Sequence, residues 1–64
     1  MRHEEFDATR GGYGLIYNHK SHATEFYDEA TDLLIGDVKG VNPYEVEEMT
    51  EGDFQQMLED NYIC

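Results

Sequence analysis

The segment Asn42–Tyr62 constrains this chain most, because it must bury an apolar stripe and keep a dense set of charges in water. It holds seven carboxylates (Glu45, Glu47, Glu48, Glu51, Asp53, Glu59, Asp60) and no Lys or Arg. Val46, Met49, Phe54, Met57, Leu58 and Tyr62 recur between them at the spacing of one helix face. Asn42-Pro43 signals a helix start, an N-cap followed by proline at the first helical position. Glu45 stands where a carboxylate reaches back to the cap N–H. Thr50 is a second cap, and Gly52 weakens any single unbroken helix. The pattern predicts two short helices, 43–49 and 51–61, with carboxylates crowding their first turns, where the macrodipole favours them.

Upstream, Gly11-Gly12 supplies the two positive-φ positions that a two-residue hairpin turn requires. Tyr13 to Tyr17 is the best strand of the sequence, with Tyr13, Leu15 and Tyr17 on one face and Gly14, Ile16 and Asn18 on the other. Glu4 to Thr9 forms a weaker partner strand, and Asn18 to Ser21 reads as a turn. Residues 22–36 support two readings. In the preferred one, a helix capped by Ser21 and stopped by Gly36 places Ala23, Phe26, Tyr27, Ala30, Leu33 and Leu34 inward. Glu25, Asp28, Glu29 and Asp32 repeat that spacing on the outer face. In the rival, His22–Tyr27 and Leu33–Val38 are strands around a turn that would prefer glycine at position 32 and only tolerates Asp. Gly36 to Val41 suits an edge strand or a loop. The fold class expected is α+β: one domain over residues 1–64, with an N-terminal β-hairpin or short antiparallel sheet packed on two or three short acidic helices.

A chain of 64 residues builds one small core. High net charge with low hydropathy is a signature of disorder. Against it stand 39% hydrophobic residues, five Tyr and three Phe, and a single Pro. Cys64 is the only cysteine, which excludes an intrachain disulfide and fits a reducing, cytoplasmic setting. It has the chemistry to join two chains, so an oligomer stays open; a free exposed thiol is the plainer reading. The sequence shows no signal peptide, no prenylation box and no apolar run long enough to span a bilayer.

Motifs for chemistry are weak. His19 and His22 lie three apart but lack the further ligands that zinc needs. Asp28 to Asp37 lacks the order of a calcium loop. Ser21 lies beside both imidazoles without any sign of an oxyanion site. No enzyme, cofactor or metal site is therefore expected.

What stands out is a formal net charge of −11. Four Lys and Arg make a poor footprint for phosphates, so direct nucleic-acid binding is excluded and a basic protein surface is the natural partner. On a helix, acids three or four apart lie about 4.5–6 Å apart along the axis. The rows Glu25–Asp28–Glu29–Asp32 and Glu45–Glu48, with Glu47–Glu51 beside them, would thus approach the charge density of a phosphate backbone. Tyr27, Tyr44 and Tyr62 would add amphipathic anchors. The expected partner surface is Glu25, Asp28, Glu29, Asp32, Tyr44, Glu45, Glu47, Glu48, Glu51, Asp53, Glu59 and Asp60. This profile (tiny, acidic, one cysteine) is similar to that of phage-encoded inhibitors of host defence or nucleic-acid enzymes, an analogy of class with no motif behind it. A CRISPR effector, restriction enzyme, nuclease or polymerase would be a suitable target. Two alternatives stand beside it: an acidic antitoxin or adaptor binding through its apolar helix face (Phe54, Leu58), and a virion or assembly accessory acidic only for solubility.

Overall fold

A computed structural model describes residues 6–63; Glu4, Glu5 and Cys64, named above, lie outside them. The elements in chain order are β1 (Ala8–Arg10), β2 (Tyr13–Asn18), β3 (Ala23–Asp28), β4 (Leu34–Lys39), α1 (Pro43–Glu48) and α2 (Glu51–Asp60). The strands form one antiparallel meander in the order β1-β2-β3-β4, and both helices contribute buried residues to a core shared with the sheet. The architecture is α+β with two helices.

The first hairpin forms as its glycines require. Gly11 and Gly12 have φ of 58° and 85°, and Arg10 pairs with Tyr13 across a two-residue turn. Leu15 is fully buried, and Tyr13 packs edge-on against Phe26 and Phe54 at 5.8 and 6.3 Å between ring centroids. Gly14 faces the other side, under the ring of Phe6; a Cβ there would overlap that ring at Cε2.

Residues 22–36 form the hairpin and not the preferred helix. The strands, Ala23–Asp28 and Leu34–Lys39, start one residue later than the rival reading placed them. Local chemistry helps explain the outcome. Asp28 Oδ1 accepts from the N–H groups of Ala30 (2.8 Å) and Thr31 (3.3 Å), and Asp32 N–H donates to Asp28 O (2.7 Å). Such Asx turns compete with helix hydrogen bonding. Asn18 builds the same device ten residues earlier, taking the N–H groups of Lys20 and Ser21 on Oδ1 while His22 N–H donates to Asn18 O. Each turn closes on a non-glycine residue in the left-handed region, His22 (φ 56°) and Asp32 (φ 63°). The supposed inner stripe is dispersed: Ala23 and Phe26 are buried, whereas Ala30, Leu33 and Leu34 are exposed. Gly36, expected to stop a helix, lies inside β4.

The helices begin as the sequence indicates. Asn42 and Glu45 form a reciprocal capping box, with bonds of 2.8 and 2.9 Å, and Thr50 Oγ1 accepts from Asp53 N–H. Val46, Phe54, Met57 and Leu58 enter the core with Leu15, Phe26 and Val38. Tyr62 does not continue their stripe: it is 92% exposed, and Ile63 is fully buried in its place. Tyr62 adopts φ 58°, its N–H donates to Glu59 O and that of Ile63 to Leu58 O. This Schellman ending reverses the chain and turns the next side chain inward.

The cation that joins these layers comes from far along the chain. Arg10 Nη1 donates to Val46 O (2.8 Å) and Met49 O (2.6 Å), and its guanidinium carbon lies 4.3 Å from the centre of the Phe54 ring. A positive group therefore caps the carbonyl end of α1, where the helix dipole favours it.

Candidate functional site

The predicted partner residues divide into two groups. Glu45, Glu47 and Glu48 on α1, and Glu51, Asp53, Glu59 and Asp60 on α2, are all exposed, while the apolar positions of the same helices are buried. Tyr44 stands among them, 62% exposed. Several of these carboxylates are oriented by neighbours: Gln55 donates to Glu51 (3.0 Å) and Gln56 to Asp60 (2.9 Å). Glu51 also meets Arg10 at 3.5 Å, an exposed contact of small energetic weight. Glu45 and Glu48 share α1 as expected. Glu47 and Glu51 do not form one row, because α1 ends at Glu48 and a new helix starts at Glu51.

The second group is not a helical row at all. Glu25, Asp28, Glu29 and Asp32 lie on β3 and its turn, so the axial spacing computed for a helix does not apply. Glu25 alternates with buried Phe26 and so faces away from the helices; its carboxylate accepts from Asn18 Nδ2 (3.1 Å) and the Tyr27 hydroxyl (3.0 Å). Those two donors offset the like charge of Asp37, which stands opposite Glu25 in the ladder. Burial, then the hydrogen bond and charge of Glu25, raise the Tyr27 hydroxyl above its ordinary pKa of 10.0. Asp28 is occupied in its turn. Asp32 Oδ1 is buried without a hydrogen-bond partner among the described residues. Glu29 N–H donates to Gly12 O, which brings this turn beside the first hairpin turn. Gly11 in turn lies against Phe54 of α2 (3.3 Å from an added Cβ to Cε2), so the glycine turn packs against that helix.

A third feature escaped sequence reasoning. Asp7, Tyr17, His19, Asn42, Pro43 and Tyr44 line a groove with a volume near 320 Å³. Tyr17 and His19 stand edge to face, 4.9 Å apart and at 82°. Asp7 Oδ2 accepts the Tyr17 N–H at 3.0 Å, which holds that carboxylate at the groove. The α1 side is positioned by the capping box and by Thr24, whose buried hydroxyl donates to Val41 O (2.8 Å) and pins the entry to the helix. These lining residues are drawn from three stretches up to 37 positions apart, and no local signal links them.

Among the described residues, no three His, Cys, Asp or Glu side chains converge as a metal site, and no helix is long and apolar enough to cross a membrane. Comparison with protein-family models, curated proteins and solved structures finds no match to this chain.

Proposed function

We propose that this chain is a non-enzymatic acidic binding protein that occupies a basic, nucleic-acid-binding surface of another protein and presents carboxylates in place of phosphates. One observation carries the reading: the seven carboxylates of α1 and α2 are exposed, while the apolar stripe between them is buried against the sheet. Six-residue α1 is about 9 Å long and ten-residue α2 about 15 Å, which gives roughly one carboxylate per 3–4 Å of axis. One strand of duplex DNA presents a phosphate every ~3.4 Å. The surface is therefore built from the helical layer, and the β3 acids serve mainly to shape their own hairpin.

An adaptor that binds through the apolar helix face is disfavoured, because Phe54 and Leu58 are 3% and 4% exposed and belong to the core. Docking through them would require opening the fold. The proposed target class is a nuclease, restriction enzyme or CRISPR effector in the cytoplasm of a host cell. The test is capture on the immobilised chain from a bacterial lysate at low salt, followed by a high-salt wash and competition with duplex DNA. Nucleic-acid-binding proteins that elute with salt and with DNA, and that a Glu45→Gln/Glu47→Gln/Glu48→Gln variant fails to capture, are the expected result. Partners retained through high salt, or held equally by the triple variant, would overturn it.

A further inference from the structure

The groove beside α1 has the composition of a cation receptor. We infer that it takes one arginine side chain of a basic partner, seating the guanidinium against Tyr17, His19 and Tyr44 with Asp7 as its counter-charge. The inference deepens the function proposed above, since it rests on the partner being basic.

Aromatic faces attract cations, more so where water is partly excluded. Three rings line this groove, with Tyr17 half-buried and His19 set nearly perpendicular to it at 82°. A planar, weakly hydrated guanidinium stacks on such walls better than the compact ammonium of lysine. Asp7 supplies the matching charge: its Oδ2 is fixed by the Tyr17 N–H, and carboxylate lone pairs remain for a charge-assisted bond. Asn42 N–H, at the helix start, is already taken by Glu45 Oε1 at 2.9 Å, so a carboxylate covers that donor. The volume, near 320 Å³, lies at the small end of the roughly 300–1,000 Å³ of ligand pockets and suits a single long side chain. The formal charge of −11 disfavours an anionic occupant and favours a cationic one.

The experiment is an NMR titration of the full chain with N-acetyl-arginine amide, with the neutral isostere N-acetyl-citrulline amide as control. Saturable shifts of the Tyr17, His19 and Tyr44 ring signals are expected with the arginine derivative, and binding about tenfold weaker with citrulline. Asp7→Asn keeps an oxygen acceptor for the Tyr17 N–H and should weaken arginine binding about fivefold or more. Tyr44→Ala, at an exposed site, should weaken it as well, whereas Glu59→Gln outside the groove should not. Shifts confined to the α1 and α2 carboxylates, equal binding of citrulline, or no saturation at the groove would each overturn the inference. Such a failure is separable from that of the functional reading: the small-molecule titration measures the groove alone, whereas salt-sensitive capture measures the helical surface.

Discussion

Replacing Arg10 with methionine removes a guanidinium that ties α1 to the rest of the fold, while keeping much of the apolar stem against Phe54. Two short bonds from a charged donor, to Val46 O and Met49 O, are lost. Bonds of this kind contribute about 1.5–3 kcal/mol each. The stacking on Phe54 at 4.3 Å adds about 0.5–1 kcal/mol. The full sum overstates the effect, because the Arg10 side chain is 19% exposed and water can reach the freed carbonyls. A net loss of about 2–4 kcal/mol is expected. A domain of 64 residues has only about 3–10 kcal/mol in total, so the variant should sit near the edge of folding. The assay is urea denaturation followed by circular dichroism, with amide hydrogen exchange to show whether α1 opens first. Arg10→Lys should fall between wild type and Arg10→Met, since an ammonium keeps the charge at the helix end but loses the planar fork. Glu51→Gln should cost less than about 0.5 kcal/mol, because the Glu51 side chain is 75% exposed. A loss below about 1 kcal/mol in Arg10→Met, with an unchanged denaturant slope, would show that α1 is held by packing alone and refute the argument.

Gly14→Ala should cost about 1–3 kcal/mol by driving its Cβ into the Phe6 ring, and the penalty should nearly vanish in a Phe6→Ala background; an unchanged penalty in that background would place its origin elsewhere. His22→Gly relieves a left-handed residue at the second turn and, after the entropy of glycine is deducted, should raise stability by about 0.5 kcal/mol in the same denaturation assay. A decrease would mean the His22 side chain makes contacts that matter more than its backbone strain. The raised Tyr27 pKa belongs to the folded state, so the unfolded chain gives up that phenol proton first as pH rises. Its contribution is present below pH 10.0 and is lost as pH climbs through the folded value. Stability curves for wild type and Tyr27→Phe should therefore diverge above about pH 10, with wild type falling more steeply; parallel curves would count against it.

Much of the backbone was legible from residues within four positions of one another. The Gly11-Gly12 turn, the Asn42–Glu45 capping box and the Thr50 cap are closed by hydrogen bonds of that reach, so their signatures lie contiguous in the chain. Residues 22–36 were not decided that way. Their carboxylates and apolar side chains satisfy a helical period and a hairpin almost equally, and the Asx turn at Asp28 together with β2 as a ladder partner settles the matter. The candidate site divided along the same line. The carboxylates of α1 and α2 were readable as an exposed set because the buried stripe beside them dictates which way they face.

Local sequence alone, then, determined the Gly11-Gly12 turn and the turn after Asn18, where both helices begin, and that the helical layer presents its carboxylates to water. Tertiary structure alone decided that β3 and β4 pair, that Ile63 and not Tyr62 enters the core, that Arg10 reaches the end of α1, and that Asp7, Tyr17, His19 and Tyr44 meet at one groove. The physical reason is reach. A cap or a tight turn is satisfied by its immediate neighbours, whereas burial, a long-range cation and a groove each depend on which distant surface folds back to cover them.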